Sequence, residues 1–478
     1  MIRMTVGELA EATKASLLAG DPQASFEGLH IDSRQVPAGG AFVAFAGERV
    51  DGNRFAAQAL RDGAAVVVLT AEPAADVLEA ARETGSAVVR AEADDGEEFM
   101  LRLAGAWRER NPQWCVVGVT GSVGKTTTKE MLAAGIGACK RVHATKGNFN
   151  NLLGVPLTLF AAPEDAEVLV VEMGMNNPGE LSRIVAAARP CVATITNVGT
   201  SHIGNLGSRE GIARAKAEVV AGLEAAHGVG PALVLTASDD YTSFIEKTFC
   251  EPAGVPVVRV GSQGSSVWAR DLTLDEEGLP SFALVGADKS ELAVKLSLPG
   301  RAMVADLLSA VGVIRTLGLP VDAAVAAIER MEATHMRLEV RQEGESPRVI
   351  DDSYNASPSS MAAALDVLCS MKCAGRRVAV LGEIGELGEE SARLHSLVGA
   401  YAAAKPLDLL VLVGEEGARL MADAACTMGF SEDHIERFAN AAEAARVMAP
   451  IFEKDDLVLV KASRAVGLDL FAREVLAS

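Results

Sequence analysis

A glycine-rich segment at residues 118–128 (GVTGSVGKTTT) lies between an apolar run and a stretch with helical spacing. The apolar run at residues 114–117 predicts a buried strand, and residues 129–134 predict the first turns of a helix. A strand, a glycine turn and a helix start bring backbone N–H groups and the positive end of the helix dipole to one point. The segment therefore predicts a site for the phosphates of a nucleotide.

Two side chains of this segment suit phosphate chemistry. Lys125 would reach the terminal phosphates, and the hydroxyl of Thr126 would hold Mg²⁺. The usual pattern, G-x-x-x-x-G-K-[ST], expects glycine at position 119, where this chain has valine, and the glycines stand at 118 and 121 instead. An ordinary glycine turn is the alternative, but a strand, Gly-Lys-Thr and a helix in succession favour the nucleotide site.

Three further side chains with possible chemistry follow downstream. Glu172 ends a buried strand, and a carboxylate at that end of a parallel strand lies at the ligand-binding edge of the sheet, where it would hold Mg²⁺. His202 follows a strand predicted at residues 192–198. Lys216 lies on a predicted helix, where a lone lysine is usually a solvated charge.

Two polar clusters are candidates for binding. Ser33 and Arg34 precede a Pro/Gly turn and would bind an anionic ligand, although on their own they fit a solvated turn better. Asn148 and Asn151 belong to a loop with three asparagines in four residues, which supplies hydrogen-bond donors and acceptors. Capping of the following helix is the alternative for these asparagines.

Composition excludes several classes of protein. The 478 residues carry a formal net charge of −20, which argues against nucleic acid or an anionic membrane as a general partner. Seven cysteines are scattered without zinc-type pairing, and the N-terminus has no signal-peptide hydrophobic region. No apolar run reaches the ~18 residues that would span a bilayer. We therefore expect a cytoplasmic protein without a membrane span.

The order of predicted strands and helices indicates an α/β protein of three domains, at residues 1–97, 98–319 and 320–478. We expect an N-terminal α/β domain that opens with a helix capped by Thr5 and Glu8. A central phosphate-loop domain with a doubly wound sheet and flanking β-strands follows, and then a C-terminal Rossmann-like domain. The flanking strands are expected to be antiparallel, at residues 257–260, 281–285 and 291–298.

Eight short motifs occur together along the chain: DSR at 32–34, the phosphate loop at 118–128, NFNN at 148–151, EMG at 172–174, SH at 201–202, AKAE at 215–218, DSYNASPSS at 352–360 and LGEIGELG at 381–388. Each is weak alone, but their order and spacing are specific. With these motifs the chain resembles the Mur ligase family over essentially its whole length. The DSYNA stretch is similar to the branch that adds D-alanyl-D-alanine, and the Asp-Asn-Pro-Arg signature of the branch that adds diaminopimelate or lysine is absent.

The resemblance implies an ATP-dependent amide ligase of peptidoglycan precursor synthesis. Such an enzyme adds D-alanyl-D-alanine to UDP-N-acetylmuramoyl-tripeptide by way of an acyl phosphate. ATP and Mg²⁺ are the implied cofactors, and the two substrates are the implied partners of a protein that we expect to be a monomer. The N-terminal domain would bind the UDP substrate, and the C-terminal domain would bind the dipeptide.

The resemblance also implies roles for individual residues. The catalytic residues would be Lys125, His202, Lys216 and Arg337. The ATP-binding residues would be Gly121, Ser122, Gly124, Lys125, Thr126, Thr127, Asp306, Arg337 (at the γ-phosphate) and Asp352 (at the ribose). The Mg²⁺ ligands would be Thr126, Glu172, His202 and, if carbamylated, Lys216. The UDP substrate would contact Ser33, Arg34, Asn148 and Asn151, and the dipeptide would contact Tyr354 and Asn355.

One stretch departs from the family pattern. The family carries His-Asn-x-x-Asn where this chain has AMVAD at residues 302–306, and the second asparagine would contact adenine. An amide donates and accepts hydrogen bonds, whereas an ionised Asp306 only accepts, so adenine recognition is expected to be weaker, rearranged or supported by other groups. Two alternatives stay open: a related ligase with another acceptor, of the folate-glutamate or cyanophycin type, and a nucleotide-binding regulator without turnover. The third residue of the tripeptide also stays open.

Overall fold

The computed structural model of the protein describes residues 1–47 and 50–477. The chain forms two compact units. The first unit comprises Met1–Val119, Lys140–Ala193 and Glu218–Ala232, and the second comprises Thr120–Cys139, Thr194–Ala217 and the chain from Leu233 onward.

The N-terminal part of the first unit is built on a five-stranded sheet. The strands of this part are β1 (Arg3–Thr5), β2 (Ser16–Ala19), β3 (Ser25–Glu27), β4 (Leu29–His30), β5 (Ala41–Val43), β6 (Val66–Leu69) and β7 (Ala87–Arg90), and the helices are α1 (Val6–Thr13), α2 (Ala56–Arg61), α3 (Ala75–Thr84) and α4 (Gly96–Arg110). Strands β1 and β3 pair antiparallel as a separate two-stranded sheet, and the other five form the larger sheet. The strand order is β2-β7-β6-β5-β4, with β4 to β7 parallel and β2 antiparallel to β7. Phe42, Leu60 and Val67 are fully buried in its core, because the apolar residues of α2 pack against the sheet.

Three parallel strands carry the rest of the first unit. The next elements of the chain are β8 (Cys115–Thr120), α5 (Lys125–Gly137, which belongs to the second unit), β9 (Val142–Ala144), α6 (Gly154–Ala161), β10 (Val168–Glu172), α7 (Glu180–Ala188) and β11 (Val192–Ile195). Strand β10 runs parallel to both β8 and β9, with Val168 opposite Cys115 and Val142. Every residue of β8 and β10 is buried, which is typical of parallel strands covered on both faces.

The second unit continues with helices and a parallel strand pair. Its elements up to Val260 are α8 (Ile203–Leu206), α9 (Arg209–Ala217), β12 (Ala232–Thr236), α10 (Thr242–Ile245), α11 (Glu251–Ala253) and β13 (Val257–Val260). Strand β13 pairs parallel with β12, so the expectation of an antiparallel strand at residues 257–260 is wrong. The reason is the helical crossover between them, since parallel neighbours need a long connection whereas antiparallel ones need only a turn.

An antiparallel sheet and two helices follow. They are β14 (Val267–Leu274), β15 (Pro280–Gly286), β16 (Glu291–Lys295), α12 (Ala302–Thr316) and α13 (Val321–Ile328). The three strands pair antiparallel in chain order, as expected for residues 281–285 and 291–298, although β14 was not predicted from the sequence. Helix α12 packs against α5, the helix that follows the phosphate loop.

The C-terminal part of the second unit is a six-stranded sheet with helices. Its elements are β17 (Glu339–Arg341), β18 (Arg348–Asp351), α14 (Pro358–Ser370), β19 (Arg377–Gly382), α15 (Ser391–Ala403), β20 (Leu409–Val413), α16 (Glu416–Thr427), β21 (Ile435–Phe438), α17 (Ala441–Met448), β22 (Leu457–Lys461) and α18 (Leu468–Ala477). The order is β17-β18-β22-β19-β20-β21, and β17 is antiparallel to β18 while the other pairs are parallel. Val411, Val458 and Phe471 are fully buried in its core.

The α/β fold class predicted from the sequence is confirmed by these parallel sheets and their helices. The predicted domain boundaries after residues 97 and 319 stay predictions. Within residues 1–47 and 50–477, none of the helices combines the length and the apolarity needed to cross a membrane.

Candidate nucleotide and substrate sites

The phosphate loop is the turn between β8 and α5, and two of its glycines have backbone angles that other residues rarely adopt. Gly121 has φ of +149° and Gly124 has φ of +85°. A Cβ atom at Gly121 would lie 1.9 Å from Oγ1 of Thr196. Val119, where the usual pattern has glycine, is instead a fully buried residue of β8, so the turn begins two residues later.

Side chains after β11 hold this loop in place. Asn197 accepts a hydrogen bond from the backbone N–H of Val123 (3.0 Å) and donates one to its carbonyl oxygen (2.9 Å). Thr196 Oγ1 donates to the same carbonyl (2.5 Å), and the backbone N–H of Gly199 donates to Ser122 Oγ (2.9 Å). Sequence reasoning missed Thr196 and Asn197; the signal was a polar Thr-Asn pair at the end of a buried strand, where ligand-facing residues collect.

Two lysines belong to the same region. Lys125 Nζ donates to the carbonyl oxygens of Gly121 (2.7 Å) and Ser122 (3.3 Å), so it lies against the loop that it would share with a phosphate. Lys216 on α9 is almost fully buried, and burial together with the charge of Lys125 holds the pKa of its amine well below the usual value. Lys216 is therefore not the solvated helix charge that its position in the sequence favoured.

Asp306 on α12 packs against the phosphate loop. A Cβ atom at Gly124 would lie 2.2 Å from its Oδ1 atom, and the residue is only 6% exposed. Burial raises the pKa of this carboxyl to about 7, and the nearby side chain of Thr128 opposes the shift in part. From the sequence, Asp306 was expected to be ionised. With a pKa of about 7, a large fraction of its carboxyl is protonated near neutral pH.

His202 contacts the loop that follows β19. It has φ of +61°, and its Nδ1 atom lies 2.5 Å from a carboxylate oxygen of Glu386. The backbone N–H of Gly204 donates to the Glu386 carbonyl oxygen (3.1 Å), and a Cβ at Gly204 would lie 2.7 Å from the Gly388 nitrogen. The interaction with His202 lowers the pKa of Glu386.

Arg337 and Thr127 lie in one cleft of the second unit, together with the apolar side chains of Met303 and Met331. The guanidinium carbon of Arg337 lies 4.2 Å from the centroid of the Tyr354 ring, within the range of a cation–π contact. The structure thus brings together two residues that were predicted to contact the nucleotide.

Asp352 forms a buried ion pair at the end of β18. Its Oδ2 atom lies 2.6 Å from Nζ of Lys461, and the two side chains are 14% and 3% exposed. Lys461 also donates to the carbonyl oxygen of Asn355 (3.0 Å), whose own side chain accepts from the next backbone N–H. Oδ1 of Asp352 accepts from Leu338 N–H at 3.3 Å. A ribose hydroxyl at this site would therefore donate a hydrogen bond to a carboxylate that already has hydrogen-bond partners.

In the first unit, Glu172 is the buried last residue of β10. Its carboxylate accepts a hydrogen bond from Asn150 Nδ2 (2.8 Å), and its backbone N–H donates to Thr145 Oγ1 (3.0 Å). Sequence reasoning singled out Asn148 and Asn151 in this loop and missed Asn150, the one that contacts Glu172.

Asn151 accepts from the backbone N–H groups of Gly154 (2.8 Å) and Leu153 (3.3 Å) at the start of α6. The helix-capping interpretation of this residue therefore fits the structure. Asn148 is exposed on the loop. Binding of a substrate by either asparagine stays a prediction.

Ser33 and Arg34 lie in a short 3₁₀ turn, Ser33–Gln35, that Asp32 caps. Asp32 accepts hydrogen bonds from Arg34 Nε (2.9 Å) and Nη2 (2.7 Å), which hold the pKa of its carboxyl at about 2. The Arg34 side chain is 86% exposed, so the turn presents a guanidinium to solvent. That placement suits an anionic ligand.

Among residues 1–47 and 50–477, no three His, Cys, Asp or Glu side chains lie close enough to form a metal site. Mg²⁺ at a nucleotide usually takes one or two protein ligands and completes its shell with waters and phosphate oxygens. The Thr126 hydroxyl and the carboxylate of Glu172 are oxygen donors of the kind that Mg²⁺ prefers, so their chemistry fits this ion.

Comparison with known proteins identifies the family. Residues 25–101 match the description "Mur ligase family, catalytic domain", residues 119–314 match "Mur ligase middle domain", and residues 336–464 match "Mur ligase, glutamate ligase domain". A Bacillus subtilis (strain 168) protein, UDP-N-acetylmuramoyl-tripeptide–D-alanyl-D-alanine ligase, is 32% identical over 482 residues, which cover 100% of this chain and 99% of that protein. The chain belongs to the Mur ligase family. The family prediction from the sequence motifs is confirmed.

Two solved Mur ligase structures have the same fold along nearly the whole chain. MurF from Acinetobacter baumannii is 30% identical with a TM-score of 0.87, and the similarity covers 100% of both chains. MurF ligase from Thermotoga maritima in complex with ADP is 27% identical with a TM-score of 0.78, covering 94% of this chain and 98% of that one.

Proposed function

We propose that this chain is an ATP-dependent ligase that joins D-alanyl-D-alanine to UDP-N-acetylmuramoyl-tripeptide in peptidoglycan precursor synthesis. The observation that carries the proposal is full-length similarity to a Mur ligase of that description. The phosphate loop is held by hydrogen bonds, Lys125 lies against it and Lys216 is buried nearby, which supports nucleotide-dependent chemistry. We further propose a cytoplasmic monomer, as expected from the sequence.

The reaction needs activation because a carboxylate and an amine do not condense in water. A carboxylate oxygen of the tripeptide attacks the γ-phosphorus of ATP, and ADP leaves. The amine of the dipeptide then attacks the acyl carbon, and phosphate leaves as the amine loses a proton. One amide bond forms for each ATP converted to ADP and phosphate.

Charge stabilisation is the main task of the protein in such a transfer. We propose that Lys125 and Arg337 bind the terminal phosphates, that Gly121 to Thr127 cradle them, and that Asp352 contacts the ribose. When bound, Mg²⁺ supplies further neutralisation of phosphate charge; Thr126, Glu172 and His202 are its proposed ligands. Lys216 is a fourth if carbamylated, and its burial beside Lys125 favours a form without positive charge.

The substrate assignments rest on the family motifs. The exposed guanidinium of Arg34, with Ser33, is proposed for the UDP end of the substrate. Asn148 and Asn151 are proposed for the rest of the UDP substrate. Tyr354, whose ring lies under Arg337, is proposed with Asn355 for the incoming dipeptide.

An acceptor panel tests this proposal. Phosphate release is measured with ATP, Mg²⁺ and UDP-N-acetylmuramoyl-tripeptide, and D-alanyl-D-alanine is exchanged for L-alanyl-L-alanine or L-glutamate. We expect release that requires both substrates and the D,D-dipeptide, with tripeptides ending in lysine and in diaminopimelate compared side by side. Turnover with glutamate alone would favour a different ligase, and nucleotide binding without turnover on any acceptor would favour a regulator.

A further inference from the structure

We propose that Asp306 acts as an uncharged acid that positions the phosphate loop, and that the loop takes a nucleoside diphosphate or triphosphate in preference when this carboxyl carries its proton. The inference rests on the proposed nucleotide binding at the loop. It assigns a positioning role, not contact with the reacting atoms.

The geometry places the carboxyl at the centre of the loop–helix junction. Gly124 is the residue before α5, and a Cβ there would lie 2.2 Å from Asp306 Oδ1, so the carboxyl fills the space beside the glycine. One turn later on α5, the buried hydroxyl of Thr128 interacts with the same carboxyl. The loop conformation at Gly124, with φ of +85°, is therefore packed directly against Asp306.

Charged groups on the elements around Asp306 have their own partners or lie at the surface. Lys125 Nζ is bonded to the carbonyl oxygens of the loop, and Lys129 is paired with Glu130 on the same helix. On the strands packed against α12, Arg259 is paired with Glu246, and Arg270 with Glu291 and Asp271. Three charged groups complete the set: Arg301 (exposed), Arg315 (paired with Asp288) and Asp322 (exposed, on α13).

The charge state of Asp306 then matters for an anionic ligand. The N-terminus of α5 attracts phosphate through its unpaired N–H groups and its dipole. An ionised Asp306 beside Gly124 would repel a phosphate at the same helix end, whereas the protonated acid would not. Burial raises the pKa of this carboxyl to about 7, so it can change state near neutral pH, and a bound phosphate would raise the pKa further. Binding would thus be accompanied by proton uptake, and affinity would fall as pH rises.

Calorimetry with ADP tests the proposal. Above pH 7 the affinity of the unmodified chain should fall by about tenfold per pH unit, since one proton is linked to binding. At pH 8, titrations in buffers with different heats of ionisation should give about 0.9 proton taken up per ADP. The Asp306→Asn variant is isosteric and always neutral, so it should lose this proton uptake and retain only the weak pH dependence of ADP itself. Asp322→Asn removes the same charge from an exposed site and should behave like the unmodified chain.

The possible results separate the inference from the proposed function. ADP binding with no proton uptake at pH 8 in the unmodified chain would contradict the inference, and this measurement needs no variant to fold. Equal pH dependence in the unmodified chain and Asp306→Asn would contradict it as well, while leaving the ligase proposal intact. Failure to bind ADP at any pH would overturn both.

Discussion

Replacing Gly121 by alanine should disable the phosphate loop while leaving the rest of the fold in place. The added Cβ atom would lie 1.9 Å from Thr196 Oγ1, far inside contact distance, and 3.0 Å from Thr196 Cβ. Thr196 is 5% exposed and its hydroxyl donates to the Val123 carbonyl oxygen, so it has little room to move. The φ of +149° adds backbone strain that glycine does not have.

The size of the effect follows from these two contributions. A residue in a sparsely populated backbone region costs about 1–3 kcal/mol. Displacing Thr196 loses its hydrogen bond to the loop, worth about 0.5–1.5 kcal/mol. The loop of the variant can avoid both costs by leaving the conformation that binds the nucleotide. Binding must then restore that conformation, so the binding free energy is weakened by about 2–4 kcal/mol, a loss of affinity of about 30- to 700-fold.

Calorimetry measures the affinity of the variant for ADP. Thermal unfolding, followed by circular dichroism, checks that the rest of the fold is in place. Gly137→Ala is the matched control, because it changes a glycine at the end of α5, the helix that follows the loop, and outside that helix's own backbone no described heavy atom lies within 4 Å of the new Cβ. Adding Thr196→Ala to Gly121→Ala removes the nearest atom and should restore part of the affinity. An affinity for Gly121→Ala within threefold of the unmodified chain would refute the reasoning.

Three further predictions concern charged groups of the second unit. Lys461→Met leaves the Asp352 carboxylate without its 2.6 Å partner, and should lower the free energy of unfolding of the C-terminal sheet by about 3 kcal/mol; hydrogen exchange in β18 and β22 measures it, and unchanged exchange would contradict it. Burial raises the pKa of the Asp306 carboxyl from its ordinary value of 3.8 to about 7. The ionised carboxyl therefore costs the folded state no stability at low pH; the cost grows as pH rises from 3.8 to 7 and is complete above 7. Asp306→Asn should therefore be more stable than the unmodified chain at pH 8, by up to about 4 kcal/mol, with the difference shrinking toward pH 4 in chemical denaturation; a constant difference would be evidence against this. Glu386→Ala removes a half-exposed partner of His202, so it should change stability by less than about 1 kcal/mol and accelerate hydrogen exchange mainly in α8; broad destabilisation would be inconsistent with a surface pair.

Local features were readable from the sequence because their causes lie within a few residues. Thr5 and Glu8 form the capping box that their spacing predicts, at the start of α1. The strand, glycine turn and helix at residues 115–137 follow from an apolar run and Gly-Lys-Thr. The valine at position 119 looked like a departure from the loop pattern, and it is simply the penultimate residue of β8.

Contacts between distant residues were not readable in this way. Asn197 and Thr196 bond to the phosphate loop more than 70 positions earlier, and no local pattern names their partner. The parallel pairing of β13 depends on the helices between it and β12, which a short apolar run does not reveal. The charge of Asp306 could not be inferred either, since its pKa is set by burial against Gly124.

The most direct test of the proposed ligase activity is mass spectrometry of the product. The chain is incubated with ATP, Mg²⁺, UDP-N-acetylmuramoyl-tripeptide and D-alanyl-D-alanine, and phosphate is counted in the same samples. The proposed function predicts a product whose mass is the sum of the two substrates less one water, formed with one phosphate per molecule. Phosphate release without that product, or no release when ADP binds normally, would contradict it.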